Sequence, residues 1–497
     1  MTASGTRARV VLATAACVIV AFPFLIVRFP PITDLPQHVA QIRLLLETVG
    51  HPHSPYTVQW LTPYALVYGL VGAAWAVVGP GDAGRVAMLA IGVLWVVAIH
   101  LLAATRGRSP AAATLASSLF FSHIVLWGFY NFVFTWPIFV LWLVLTTGER
   151  ARRTGWTDFV LLMGCAALLY ASHILWLAVA VLWLVASGLV FRLPFGTLAL
   201  RVACVTPVLL GAALWFPRLA ERGFRSATVW GPSPLARLRP GWLLDASFGA
   251  VAGPAESIVL GGIVIWLVMA VWGAWLRRAE TGGATDRECL LAAGLFLVLA
   301  LFLPIKHTNT IQFAERWAPF AIILALLALP TPPIRPLLER AAALGLLAFL
   351  ALSTAVAWHA FERANLAGLP AALDALPTRP RVIGLDYVGS TPLLKTRPFI
   401  QTFAYAQVIH GGTLNFSFAE FAPSLVVYAD RQRLPWTPGL EWFPQRVRGD
   451  DFLHFDYALI NGGPDLHRTV VERFPLVPVT TGGTWRLYAI RGARPPG

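Results

Sequence analysis

Negative charge is scarce in this chain. Its 497 residues hold 24 Asp and Glu against 38 Lys and Arg, and charged residues are 12% of the total. Soluble domains carry about a quarter charged residues, so an ordinary solvated surface is excluded. Lysine is nearly missing: Lys306 and Lys395 are the two present. The net charge of +14 is thus carried by arginine. The arginines lie mainly in short loops between apolar runs, where they set membrane orientation. No basic-aromatic module accompanies them, so nucleic acid is not an expected partner. Cysteine is limited to Cys17, Cys165, Cys204 and Cys289, each in or beside an apolar run and none in a CxxC. That placement excludes a disulfide framework and argues against metal or redox use. The motifs of soluble-nucleotide, zinc-protease and serine-hydrolase chemistry are missing in their required contexts. No internal repeat or low-complexity tract stands out.

What the chain has in quantity is apolar surface: 57% hydrophobic residues, 20 Trp and a mean hydropathy of +0.67. Runs of about 18–22 apolar residues read as membrane-spanning helices. Candidate spans fall at roughly 10–28, 85–105, 110–128, 132–147, 157–171, 173–190, 202–217, 257–276, 289–304, 317–330 and 341–357. The first follows Arg7 and Arg9 as a signal peptide would. It ends in Arg28-Phe-Pro-Pro without a small-x-small cleavage site, so it is read as a retained helix.

Residues 62–79 are ambiguous, being barely long enough to cross. Charge decides the matter. If they do not span, five arginine-bearing loops share the side of Arg7 and Arg9: Arg106 and Arg108; Arg150, Arg152 and Arg153; Arg192 and Arg201; Arg277, Arg278 and Arg287; Arg335 and Arg340. If they span, all five move outside. The segment is therefore placed along the outer interface, with Tyr64, Tyr68 and Trp75 at headgroup level. The expectation is about eleven transmembrane helices, the N-terminus cytoplasmic and the C-terminus outside. The loop 218–256 departs from the charge rule with Arg218, Arg222, Arg225, Arg237 and Arg239: it is tolerated for its length, or it binds an anion.

Composition changes after residue 358. Strand-like runs at 381–388, 425–428, 457–460 and 485–490 alternate with Gly/Pro turns. Two domains are expected: a transmembrane domain over 1–357, and a small extracytoplasmic α/β domain over 358–497.

Asp34 stands out against the shortage of acids. It lies in Phe29-Pro-Pro-Ile-Thr-Asp-Leu-Pro-Gln-His38, directly after the first span. Residues 34–49 read as an amphipathic helix with Leu35, Val39, Ile42, Leu46 and Val49 on one face. Asp34 and His38, four apart, share one side of its first turn. Two compatible readings stand: an N-cap, with Pro36 fitting a helix start, or an active-site acid.

This order (a first span, an outside Asp opening a helix, an aromatic interface helix, then Arg85 at the next span) resembles the GT-C fold of membrane glycosyltransferases. That group includes protein O-mannosyltransferases, oligosaccharyltransferases and aminoarabinose transferases. The resemblance covers roughly residues 8–330, and Asp34 is its most specific residue. It implies a polyprenyl-phosphate- or pyrophosphate-linked sugar donor and an acidic residue in the first outside loop. Many such enzymes have a second acid in the next outside turn. Here Gly128-Phe-Tyr-Asn131 supplies Asn131 instead, which puts metal dependence in doubt and leaves a divalent metal as an open cofactor. Asn131 donates a hydrogen bond there or simply caps a turn.

Further candidates follow the same resemblance. His173 lies between two spans, where some relatives have a basic residue, and is a site group or an interface histidine. The stretch from Lys306 to Trp317 resembles the Arg-aromatic start of a late span. Arg316 there holds a lipid phosphate, helped by Lys306, or forms an interfacial anchor with Glu315. His123 is expected to be packed within a span. His51 and His53 suggest a metal pair but have no third ligand near in sequence, and no metal site is assigned. Asp450 and Asp451 are expected on solvated turn surface.

Together these readings predict an inverting glycosyltransferase of the cytoplasmic (inner) membrane. It would move a hexosyl or pentosyl group from a polyprenyl-phosphate donor to an envelope lipid, glycan or protein. The alternatives are a non-enzymatic polysaccharide or lipid transporter, an envelope-assembly subunit, or an O-antigen polymerase- or ligase-like enzyme.

Overall fold

The computed structural model describes residues 3–51, 53–217, 227–276, 285–308, 310–430 and 434–491. Arg218, Arg222, Arg225, Arg277 and Arg278 lie outside the described residues. The chain is mainly helical. In chain order come α1 (Ala3–Ile26), α2 (Leu35–Thr48), α3 (Leu66–Val78), α4 (Pro80–Thr105), α5 (Pro110–Ser117), α6 (His123–Leu126), α7 (Tyr130–Thr146), α8 (Trp156–Ser172), α9 (Ile174–Val190) and α10 (Phe195–Trp215). Later long helices are Ala255–Leu276, Arg287–Phe302, Ala318–Ala328 and Pro336–Asn365.

Five described helices are long and apolar enough to cross a membrane: Thr6–Ile26, Pro80–Thr105, Phe195–Trp215, Ala255–Leu276 and Pro336–Asn365. The chain is a multi-pass membrane protein. The other expected spans meet shorter helices. One is interrupted: 110–128 breaks into α5, a 3₁₀ turn at Ser118–Phe120 and α6. The cause is local. The Ser117 hydroxyl donates to the Ala113 carbonyl at 2.9 Å and that of Ser118 to Leu115 at 2.7 Å. Hydroxyls that bond back to a preceding turn compete with the helix ladder. Over 62–79 the helix is only the 13 residues of α3. At 1.5 Å per residue it is about 20 Å long, short of a bilayer core.

The chain folds as two compact units: residues 1–25, 89–125 and 131–355, and residues 26–88, 126–130 and 356–497. In the first unit the helices pack through aromatic rings. Trp136, Trp176 and Phe320 lie with ring centroids 4.8–6.1 Å apart. Each buried indole N–H that is bonded finds a nearby oxygen, as Trp176 does at Phe132 (2.9 Å) and Trp142 at Ala180 (3.0 Å). At one end Arg106 forks onto Asp286 at 2.7 and 2.9 Å and also reaches Glu288. Asp286 in turn caps the helix Arg287–Phe302 by accepting from Glu288 N and Cys289 N.

The second unit gathers the loop after α1, α2, α3 and the tail. Its five-stranded sheet has the order β6-β5-β8-β10-β9, with β5 Arg381–Asp386, β6 Thr413–Leu414, β8 Tyr457–Asn461, β9 Leu476–Pro478 and β10 Trp485–Ile490. β5 runs parallel to β6 and β8, while β10 is antiparallel to β8 and β9. Ile383, Leu385, Phe452, Phe455, Ile460 and Tyr488 fill the core on this sheet. The four strand-like runs of the tail coincide with β5, β7 (Val426–Tyr428), β8 and β10. β7 does not join the large sheet, however: it pairs antiparallel with β1 (Tyr56–Val58), whose Tyr56 lies opposite Tyr428 and Val58 opposite Val426. The Asp450–Asp451 expectation needs correction at one residue. Asp451 is buried and accepts from Thr437 N and Arg448 N, both at 2.7 Å, so its carboxylate serves the turn's backbone rather than solvent.

Candidate active site

Asp34 occupies the N-cap position of α2, but its side chain makes no cap hydrogen bond. The backbone is helical there already (φ −90°, ψ 0°), and Pro36 removes an amide that would need an acceptor. The N-cap reading thus describes its place and not its chemistry, and the carboxylate is free of the helix end. The turn is held from outside. Thr33 N donates to Leu126 O at 2.8 Å and Asp34 N to Trp127 O at 3.1 Å. Gly128 lies against this turn at φ +83°, and a Cβ there would sit 2.8 Å from Asp34 N and 3.0 Å from Asp34 Cβ. Only glycine lets the two backbones approach this closely. Asp34 keeps part of its surface accessible, yet burial pushes its carboxyl up to about 8.

His38, one turn on, is buried. Its Nδ1 lies 3.0 Å from the Tyr68 hydroxyl, and a backbone hydrogen bond joins it to Gly128. Tyr130 and Phe418 flank the ring with centroids at 4.9 and 5.2 Å. Burial holds the imidazole down at about 3, so it is neutral at physiological pH. The neutral ring is held between Tyr68 and Gly128 beside the Asp34 turn and brings no positive charge to it. Asp34 is close enough to Tyr68 for its charge to push the phenol upward.

The same helix is locked to the tail through two glutamines that the sequence did not single out. Gln37 Nε2 donates to Gln401 Oε1 (3.0 Å) and Phe416 O (3.2 Å), and its Oε1 accepts from Phe418 N (3.1 Å). Gln41 Oε1 accepts from Val426 N at 2.8 Å. Polar residues at i and i+4 facing a segment nearly 400 positions away leave no local pattern. Arg28 N and Phe29 N, before the turn, both donate to Glu362 at 2.8 Å. The tail also places Glu441 in a buried position that pushes its carboxyl up to about 7.

The remaining expected residues lie in the first unit. Arg316 is buried, stacks over Phe132 at 5.0 Å, and donates to the Gln312 carbonyl at 3.1 Å and to that of Ile311. Its charge acts on both His123 and His173. His173 caps α9, its Nδ1 accepting from Leu175 N at 3.2 Å, and meets the Phe132 ring edge-on at 5.3 Å. Asn131 is in the first turn of α7, with its buried side-chain oxygen unbonded. Glu315 shares a 3₁₀ turn with Arg316, and burial raises its carboxyl. The stretch around Lys306 forms a small sheet in the order β2-β3-β4: β2 Thr228–Val229, β3 Lys306–His307, β4 Thr310–Ile311. So the structure brings Arg316 and His173 together on the Phe132 ring, with Glu315 in the turn of Arg316, and sets Asp34 and His38 at the start of α2.

Among the described residues no group of three or more His, Cys, Asp or Glu has metal-ligand geometry. His51 is turned to its own loop, Nδ1 lying 3.3 Å from Val49 O. A cavity of about 490 Å³ in the first unit is lined by Glu149, Arg152, Asp286, Arg287 and Glu288 among others. None of the expected site residues lines it.

The architecture is GT-C-like, as the sequence resemblance implied. Two solved structures share it over the whole chain. ArnT from Cupriavidus metallidurans in the apo state superposes with a TM-score of 0.57 at 15% identity, covering 99% of this chain and all of that one. ArnT from the same organism bound to undecaprenyl phosphate gives 0.55 at 15% identity, with both chains covered completely. No family model and no curated protein matches the sequence. Likeness at this identity defines the fold.

Proposed function

We propose that this protein is a membrane glycosyltransferase that takes a sugar from a polyprenyl-phosphate donor. The observation that carries the proposal is Asp34: a carboxylate unused by its helix, wrapped by the Gly128 turn, in a chain with the fold of ArnT. One ArnT structure was solved with undecaprenyl phosphate, which supports a lipid-phosphate donor here.

In the proposed reaction an acceptor hydroxyl or amine attacks the anomeric carbon. The bond from that carbon to the phosphate oxygen breaks, and the lipid phosphate leaves with the electron pair. Asp34 takes the proton of the nucleophile, giving inversion in a single displacement. A carboxylate with raised basicity suits this role, since general bases work best with a pKa near the working pH. His38, neutral and fixed by Tyr68 and Gly128, positions the turn. We assign Arg316, with Lys306, to negative charge on the lipid phosphate, and His173, Asn131 and Glu315 to binding around it. That assignment rests on their chemistry within the first unit.

A divalent metal fits poorly with the residues around Asp34. Among the described residues Asp34 belongs to no group of three or more His, Cys, Asp or Glu that could hold a metal, and hard cations need several oxygen ligands. No step is routed through a metal. The acceptor class proposed is an envelope lipid, glycan or protein. The location proposed is the inner membrane, with about eleven spans, α3 along the outer interface, and the tail from 358 as an extracytoplasmic domain.

The test is sugar transfer from a radiolabelled polyprenyl-phosphate sugar by purified protein. Asp34→Asn is expected to lose about 10²–10⁴-fold in rate. Undiminished transfer by that variant would reject Asp34 as base, and no transfer by wild type from any such donor would return the reading to a non-enzymatic membrane protein.

A further inference from the structure

The Asp34 turn belongs to a closed circuit of contacts that ends on an unpaired cation. Asp34 N donates to Trp127 O at 3.1 Å. The Trp127 ring stacks on Trp442 with centroids 6.4 Å apart and planes 25° apart. The guanidinium of Arg397 lies 5.7 Å from the centre of the Trp442 ring. The circuit closes where the Thr33 hydroxyl donates to the Arg397 carbonyl at 3.3 Å. All five residues belong to the second unit. Arg397 is therefore tied at its carbonyl to the residue before Asp34, and its side chain lies over Trp442, which stacks on Trp127, whose backbone carbonyl accepts from the Asp34 amide.

Among the described residues no carboxylate pairs with Arg397, and no hydrogen bond occupies its guanidinium. The residue is exposed, and Trp442 keeps 38% of its surface accessible. A buried arginine spends its donors within the fold, as Arg237 does on the carbonyls of Ala300, Leu303 and Pro232. An indole face orients a guanidinium without consuming its N–H groups or its charge. What remains is a planar fork of donors, oriented and unneutralised, whose best match is the paired oxygens of a phosphate.

We propose that Arg397, held on Trp442, is a phosphate-binding residue of the Asp34 site. The proposal rests on the glycosyltransferase reading only for the identity of the phosphate, which belongs to the polyprenyl donor or to a phosphorylated acceptor lipid. Nothing in its position along the chain reveals it: Arg397 follows Asp34 by 363 residues.

Binding is measured on the full chain in nanodiscs, with undecaprenyl phosphate and dioleoyl phosphatidic acid as separate probes. Arg397→Gln should weaken binding by about tenfold or more, with Arg397→Lys recovering part of it because a point charge replaces the fork. The melting temperature should not move, since the side chain is exposed. Loss confined to undecaprenyl phosphate assigns the donor. Loss confined to phosphatidic acid assigns an acceptor phosphate, and equal loss for both assigns a general lipid-phosphate site. Affinities within about twofold of wild type for both probes overturn the proposal. A wild type that transfers no sugar, paired with a binding defect in Arg397→Gln, would sink the proposed activity and leave the anion site standing. Equal binding and equal transfer by both proteins would do the reverse.

Discussion

At the scale of single residues, the placement of Asp34 sets its chemistry. Its carboxyl, raised to about 8 by burial, is largely protonated at neutral pH. A base must be ionised, so kcat/KM for transfer should rise with pH and level off above about 8. A flat profile from pH 6 to 9 would remove Asp34 from the proton transfer. The same shift bears on stability. An acid whose folded pKa lies above its ordinary 3.8 favours the folded state most when protonated, and that advantage fades as pH climbs from about 3.8 to about 8. Asp34→Asn cannot ionise and loses no cap bond, so its melting temperature at pH 8 should equal or exceed that of wild type. Gly128 sets the companion prediction. Gly128→Ala puts a side chain at φ +83° and a Cβ 2.8 Å from Asp34 N. The strain is about 1–2 kcal/mol, and the turn must shift to relieve it. Transfer should fall more steeply than stability, and unchanged kcat would show that the turn tolerates displacement. Asp34 was legible in the sequence because acids are few and this one is flanked by prolines. Gly128 was not, because a glycine needs its φ and its neighbour before it means anything.

At the scale of elements, α2 does two jobs with opposite faces. Its apolar positions were visible as a helical period, and Leu35, Val39 and Ile42 are buried as that period requires, while Leu46 and Val49 at its far end are exposed. Its polar positions proved as important. Gln37 and Gln41 replace missing backbone partners for the tail segment 416–426. Gln37→Leu would leave Phe418 N without its acceptor in a buried place, costing about 2–3 kcal/mol. The expected outcome is a lower melting temperature and faster proteolysis within the tail. A variant as protease-resistant as wild type would show that the tail docks without this bond. The pairing of β1 with β7 belongs to the same class. Both are three-residue strands, and neither has enough pattern of its own to announce a partner. The interrupted segment 110–128 shows the converse: its apolar run predicted one span, while the chain breaks there into two helices and a 3₁₀ turn.

At the scale of the whole molecule, the arginine distribution still supplies the argument for orientation. Cysteine labels at positions 108 and 450 should react from opposite sides of the membrane, and labelling of both from one side would sink the eleven-span arrangement. Chain order and spatial grouping diverge here. A sequence boundary at 357/358 separates Asp34 from the tail, whereas the second compact unit contains both. By itself the sequence determined that the chain is a polytopic membrane protein and roughly where most of its apolar helices lie, and it drew attention to Asp34. Those properties are local: hydropathy, charge and proline act within a turn or two. The tertiary structure alone decided that the Asp34 carboxylate is left unused by its helix, that Gln37 and Gln41 bind the tail, and that Trp127, Trp442 and Arg397 meet at the Asp34 turn. Contacts between residues hundreds of positions apart depend on packing, and packing is the sum of every element at once rather than a property of any one stretch.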